Sequence, residues 1–158
     1  MVYIGIGSNI GNRINNIIKA KYLLIQNGIK ITKSSSYYET LSWPDPSNPK
    51  FINVIVQSNT KISPGKFLII FKSIEKKLGR KKSLKNEPRT CDIDLISYNQ
   101  KISNGSIYLP HKRMHERNFV LIPLFELNKN WSHPKTNLSI KKLIFSLPIK
   151  DITSIKKI

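Results

Sequence analysis

Two segments of helical periodicity, held apart by strand-like segments, constrain what this chain can fold into more than any other feature. In residues 12–27, Ile14, Ile17, Ile18, Leu24 and Ile25, with the stem of Lys21, recur at helical spacing, and Gly28 offers a stop. Ser63 and Pro64 open the second, Ser as N-cap and Pro at the first helical position. Phe67, Leu68, Phe71, Ile74 and Leu78 then form one stripe that Gly79 ends. Residues 2–7, 29–38, 51–60 and 90–98 read as strands, the second with a serine run that suggests an exposed edge. Pro44, Pro46 and Pro49 make residues 39–50 a loop. The order β-α-β-β-α-β predicts an α+β, ferredoxin-like fold, with a mainly antiparallel sheet, helices on one face and C-terminal additions. Those additions are a strand over 101–108 interrupted by a turn at Asn104-Gly105, mostly helix over 110–127 with a bend at Pro123, a short helix over 138–146 and a last short strand after Lys150.

At 158 residues the chain is expected to form a single domain, 1–158, able to bury about 70% of its unfolded surface without staples. Cys91 is the only cysteine, so no intramolecular disulfide and no Cys-rich metal site can form, which fits a reducing compartment. No signal-peptide pattern opens the chain and no run of about 18 apolar residues occurs. A cytoplasmic protein with no membrane partner is expected. The formal net charge of +18 has two readings. One is a polyanionic partner; the other is the lysine, isoleucine and asparagine bias of an AT-rich genome, since the basic residues form no block.

The scarce acids say more. There are nine, none before Glu39, and two of them flank Ile93. On a strand, Asp92 and Asp94 point to one face while Cys91, Ile93 and Leu95 point to the other. Bare carboxylates roughly 6.5–7 Å apart repel by about 2–2.5 kcal/mol at an effective dielectric near 20. A divalent cation shared with substrate phosphates would reverse that sign; pairing with a nearby cation such as Arg89 is the alternative. Arg80, Lys81, Lys82, Lys85 and Arg89 lie close by, a set suited to phosphoryl chemistry or to a solvated loop. The glycines of Gly5-Ile6-Gly7-Ser8-Asn9-Ile10-Gly11 match neither a dinucleotide fingerprint nor a P-loop and are read as a strand-to-helix turn. His111 and His115 lack the metalloprotease pattern. Trp43, Phe51 and Phe119 are either core or a stack for a flat heterocycle.

Taken together, these residues resemble a known family, the hydroxymethyldihydropterin pyrophosphokinases of folate biosynthesis. The likeness runs over essentially the whole chain. It rests on Gly7-Ser8-Asn9, Tyr38-Glu39-Thr40, Phe51-Ile52-Asn53, Ile74-Glu75, the block from Pro88 to Leu95, Leu109-Pro110-His111, Arg117-Asn118-Phe119 and Pro123-Leu124-Phe125-Glu126. It implies transfer of the terminal pyrophosphoryl unit of ATP to 6-hydroxymethyl-7,8-dihydropterin, with AMP released. It further implies two Mg²⁺ ions on Asp92 and Asp94, with Arg80, Lys82 and Arg89 as catalytic cations. ATP contacts would come from Glu75, Arg89, His111 and Arg117. The pterin would lie between Phe51 and Phe119, its edge read by Asn53 and by the backbone of Thr40, Leu41 and Ser42. Residues 39–50 and 80–88 would be loops that close over the substrates.

This chain departs from many members at Leu41, where a proline is common, at Lys82, where some carry arginine, and near Asn86, where some carry tryptophan. Lysine keeps the charge but loses the bidentate fork. Some members are fused to neighbouring folate enzymes, for which this chain has no room, and it is expected to act as a monomer without nucleic acid. The reading from another class is an RNA-binding ferredoxin-like module, suggested by the +18 charge and strand aromatics.

Overall fold

The computed structural model describes residues 1–80 and 87–158. Lys81, Lys82, Lys85 and Asn86 therefore lie outside the described residues. Strand β1 (Val2–Ser8) is followed by α1 (Arg13–Gln26), β2 (Ile31–Ser34), β3 (Tyr38–Thr40), β4 (Phe51–Ser58), α2 (Pro64–Lys77) and β5 (Asp92–Tyr98). The C-terminal part adds β6 (Ser103–Asn104), β7 (Tyr108–Leu109), a 3₁₀ turn (Met114–Glu116), α3 (Asn118–Leu127), α4 (Ile140–Phe145), α5 (Ile149–Ser154) and β8 (Lys156–Lys157). The main sheet runs β5-β1-β4-β3-β8, with β2 also on β4, and all its pairings are antiparallel.

Period-two alternation sorts the side chains into two cores. Val2, Ile4 and Ile6 of β1, Ile52, Val54 and Val56 of β4, and Ile93 and Leu95 of β5 face α1 and α2. There they meet Ile17, Ala20 and Leu24 of α1 and Phe67, Phe71 and Ile74 of α2. Phe67 is fully buried, worth about 1.5–3 kcal/mol relative to exposure. Tyr3, Ile55 and Ile96 face the other way, against Val120, Leu121 and Leu124 of α3 and Ile140 and Leu143 of α4.

The ferredoxin-like order of elements is as expected from the sequence, with corrections of detail. Helices cover both faces of the sheet rather than one, because the C-terminal additions supply α3 and α4 as a second layer. Residues 29–38 are not one strand. Ser35 turns inward, donating its amide to the Ile55 carbonyl (2.9 Å) while its Oγ accepts from the Ile55 amide (3.0 Å), which splits β2 from β3. The 101–108 strand is a two-stranded hairpin off the main sheet. Helix over 110–127 begins only at Asn118 and continues through Pro123. Residues after Lys150 mostly extend α5 before the brief β8. On α1, Ile14, Ile18 and Ile25 stay exposed. Asn12 caps α1, its side chain accepting from the Asn15 amide, whereas Ser63 makes no side-chain cap bond and Pro64 alone marks the start of α2. No helix among the described residues is long and apolar enough to cross a membrane.

Candidate active site

The register of the three central strands builds the floor of a cavity on the α3 side of the sheet. Across β1 and β5, Asp92 pairs with Gly7 and Asp94 with Gly5; across β1 and β4, Gly7 pairs with Asn53 and Gly5 with Ile55. Gly5 and Gly7 lie within the strand expected over 2–7, and the turn read over 5–11 begins only after Ser8. A β-carbon on Gly7 would come within 2.7 Å of Asn53 Oδ1. The missing side chains leave room between the aspartates and the amide. The turn itself lies further on, at Gly11, whose φ of 66° suits glycine.

The cavity has a volume of about 130 Å³. Phe51 and Asn53 from β4 and Phe119 from α3 line it, together with Thr40 at the end of β3 and Leu41 and Trp43 from the segment between β3 and β4. Arg89, Arg113 and Arg117 supply its positive wall, and Asp92 and Asp94 its negative floor. Asn53 is fixed by donating Nδ2 to Thr40 Oγ1 at 3.0 Å. Ser42 does not line the cavity. Its buried hydroxyl donates to the Pro49 carbonyl at 2.7 Å and braces the loop.

Three guanidinium groups meet the two carboxylates. Arg80 Nη1 lies 2.6 Å from Asp92 Oδ1, and Arg89 Nη2 2.6 Å from Asp92 Oδ2. Arg117 Nη1 lies 3.1 Å from Asp94 Oδ2. Burial pushes the Asp92 carboxyl upward, but Arg89 and Arg80 outweigh it and hold the group below the usual carboxylate range. Glu75 stands behind this cluster, outside the cavity. Its carboxylate accepts the Ile93 amide at 2.9 Å and pairs with Arg80, while burial raises its pKa. His111 lines a neighbouring cavity and approaches Asp94 to 4.0 Å; burial lowers its pKa.

Some donors remain unused. Arg89 Nε, Arg117 Nε and Thr90 Oγ1 are buried without a hydrogen-bond partner among the described residues. Buried polar groups are nearly always satisfied, so two orphaned guanidinium donors beside the floor mark where an anion fits. No cluster of three His, Cys, Asp or Glu occurs among the described residues. Two hard carboxylate oxygens, with the remaining positions left to phosphate and water, suit Mg²⁺.

Asn9 carries a site role that the sequence did not reveal. Buried to 3% exposure, it accepts the Arg89 amide on Oδ1 at 2.7 Å and donates Nδ2 to the Pro49 carbonyl at 3.1 Å. It thus ties the Arg89 segment to the loop over the cavity. Its partners lie 40 and 80 residues away, so no local spacing could have signalled it. Arg113 was missed for the same reason.

The ferredoxin-like sheet thus brings paired carboxylates, guanidinium donors without a partner and aromatic faces to one cavity. Residues 3–129 match the sequence model of the 7,8-dihydro-6-hydroxymethylpterin-pyrophosphokinase family, and the chain belongs to that family. It is 39% identical over 152 residues to the folic acid synthesis protein fol1 of Pneumocystis carinii, covering 96% of this chain and 20% of that protein. The 2-amino-4-hydroxy-6-hydroxymethyldihydropteridine pyrophosphokinase of Aquifex aeolicus is 32% identical over 158 residues, covering 99% of this chain and 98% of that protein. A crystal structure of wild-type Plasmodium falciparum HPPK-DHPS superposes with a TM-score of 0.73 at 14% identity, over 99% of this chain and 44% of that one, a likeness of fold. The chain spans only 20–26% of the length of its Pneumocystis, Arabidopsis thaliana and Pisum sativum relatives.

Proposed function

We propose that this chain transfers the terminal pyrophosphoryl unit of ATP to the hydroxymethyl oxygen of 6-hydroxymethyl-7,8-dihydropterin, releasing AMP and giving the pterin diphosphate ester, a step of folate biosynthesis. One observation carries the reading: the ring-binding groups Phe51, Asn53 and Phe119 and the carboxylates Asp92 and Asp94 share one cavity.

The pterin lies between Phe51 and Phe119, where stacking orients it. Asn53, its amide fixed by Thr40, hydrogen-bonds the polar edge, and the backbone of Thr40 and Leu41, which line the cavity while Ser42 does not, reads the rest. Arg89 and Arg117 turn their spare N–H groups to the triphosphate, Arg80 adds charge, and His111 approaches from the side of Asp94. Lys82, outside the described residues, belongs to the same proposal. Glu75 acts through Arg80 and the Ile93 amide, and any contact it makes to adenosine comes after those bonds. Asp92 and Asp94 would hold two Mg²⁺ ions, which when bound would neutralise charge on the triphosphate. The chain's part is positioning. The hydroxyl oxygen attacks the β-phosphorus, the bond from that phosphorus to the oxygen bridging to the α-phosphorus breaks in line, and the hydroxyl proton passes to solvent.

AMP release that requires both Mg²⁺ and the hydroxymethyldihydropterin tests the proposal. AMP release independent of the pterin would overturn it. The RNA-binding reading gains nothing from the structure, because α3 and α4 cover the sheet face that carries Phe51.

A further inference from the structure

Three aromatic rings line the cavity, and the family motif accounts for two of them. The third, Trp43, stands at the cavity mouth, 39% exposed. Its ring is covered by a cation: Arg113 Cζ lies 3.9 Å from the indole centroid, and Arg117 Cζ 5.9 Å. Arg89 over Phe51 and Arg117 over Phe119 are looser, at 5.3 Å and 5.5 Å. A separation of 3.9 Å is stacking contact, and arginine on tryptophan is the strongest common pairing of this kind.

Both partners are anchored. The Arg113 amide donates to His111 Nδ1 at 3.2 Å, and its Nε lies 3.4 Å from Glu116 Oε2. That places Arg113 on the segment that also carries His111 and Arg117. Trp43 follows Ser42, whose hydroxyl and the Asn9 amide both donate to the Pro49 carbonyl. The stack therefore bridges the 41–50 loop and the 111–117 segment across the mouth of the cavity. A ring already immobilised by one planar cation loses little freedom when a flat ligand joins it.

We propose that Trp43 is a third aromatic wall for the fused heterocycle, and that Arg113 is the positioning residue that holds its indole in place. The inference rests on the reading of this cavity as the pterin site. The ligand class is a flat fused ring bearing an amide edge. The Arg113–Trp43 stack sets how tightly the ring is gripped, not the rate of the phosphorus chemistry.

Trp43 and Trp131 are the only tryptophans, so the emission of a Trp43→Phe chain reports Trp131 alone. Wild type and Trp43→Phe, saturated with Mg²⁺ and a non-hydrolysable ATP analogue, are titrated with 6-hydroxymethylpterin, with calorimetry in parallel. We expect the difference emission, which belongs to Trp43, to fall by at least about half at saturation. In steady-state assays Trp43→Ala should raise the pterin KM about tenfold, with kcat and the ATP KM within about threefold. Arg113→Ala should raise the pterin KM by about three- to fivefold, and Arg113→Lys, which keeps the cation, should restore part of it. Calorimetric pterin binding with unchanged Trp43 emission, and a Trp43→Ala KM within twofold, would sink this proposal and leave the pyrophosphokinase reading standing. Absence of calorimetric binding would overturn both. An Arg113→Ala chain with a lowered Tm and an unchanged pterin KM would reduce Arg113 to a loop tether.

Discussion

Replacing Gly7 with alanine tests the role proposed for the Asn53 amide without substituting that residue. The new β-carbon would sit 2.7 Å from Asn53 Oδ1 and 3.4 Å from the Phe51 ring. Ordinary contact begins at 3.4 Å, so the amide must retreat by about 3.4 − 2.7 = 0.7 Å. That retreat breaks the 3.0 Å bond from Asn53 to Thr40. The atom that must yield is the end of a side chain, and β1 is paired on both edges, so the sheet survives. Loss of one hydrogen bond costs about 1 kcal/mol net, and removing a strand glycine returns about 0.5 kcal/mol. The net loss of about 0.5 kcal/mol should lower the Tm by only about 1–2 °C. The site suffers more, because misplacing a positioning group by about 1 Å costs up to roughly 10²-fold. We expect kcat/KM for the pterin to fall about 10- to 100-fold while the ATP KM stays within about twofold, since the Asp92 cluster is untouched. Thermal melts and steady-state kinetics with each substrate varied decide the matter. A folded variant whose pterin kcat/KM stays within twofold of wild type would refute the role given to Asn53. Gly5→Ala is the comparison: its β-carbon would meet Ile96 Cδ1 at 3.3 Å, a milder clash with an apolar neighbour, and the pterin-specific loss should be smaller.

Asp94→Asn keeps a hydrogen-bond acceptor for Arg117 and should fold, yet turnover should drop by about 10²–10⁴-fold; near-normal turnover would remove the metal assignment. Asn9→Ala strands the Arg89 amide and loosens the Pro49 carbonyl, costing about 2 kcal/mol and raising KM for both substrates, because two segments lose one clamp. A KM change for one substrate only would contradict the clamp. Glu126 gives a pH signature remote from the chemistry. Burial raises its pKa, but the Ser36 and Tyr38 hydrogen bonds and Lys157 outweigh this and lower it overall. Its contribution is therefore full above the unfolded value near 4.3 and is lost as pH falls through the lower folded value. Glu126→Gln should lose about 1 kcal/mol at pH 7, and the difference in Tm from wild type should shrink in acid; a constant difference would contradict the ionised state. Tyr38, its hydroxyl pushed up to about 12 by burial and by Glu126, stays protonated throughout this range.

Periodicity located the central strands and both large helices because each buries one face against a shared core, and burial imposes its period on the sequence. It misplaced features whose cause lies elsewhere. The break at Ser35 exists because its side chain pairs with Ile55, 20 residues away. The reason for Gly5 and Gly7 within β1, the absence of side chains between Asp92 and Asn53, is visible only across three strands. The outward isoleucines of α1 fit the helical period without reaching the core. In the site, Asp92, Asp94, Arg89, Phe51, Asn53 and Phe119 carried roles legible through motif; Asn9 stood in a motif without a role, and its clamp, like the Arg113 stack, exists only through the tertiary contacts that bring distant segments together.

Repulsion between Asp92 and Asp94 is not what a metal would relieve. Two bare carboxylates on one strand face would cost the fold about 2–2.5 kcal/mol, and on that count a cation would be needed for stability. The structure resolves the cost otherwise: Arg80 and Arg89 take both oxygens of Asp92, and Arg117 takes Asp94. The strand is neutralised by the protein's own charges, so what recommends Mg²⁺ is the donor set and the unspent guanidinium N–H groups, not relief of strain. The consequence is a separation of function from stability. EDTA should abolish AMP formation while shifting the Tm of the nucleotide-free protein by less than about 1 °C, because the ion would gain little by competing with guanidinium groups already in place. Adding ATP with Mg²⁺ should raise the Tm by more than either component does, since triphosphate gives the arginines an alternative partner and frees the carboxylates for metal. A large Tm loss in EDTA alone would mean that the carboxylates need the ion to fold, and the exchange of guanidinium for metal at Asp92 and Asp94 would then be the wrong account of this site.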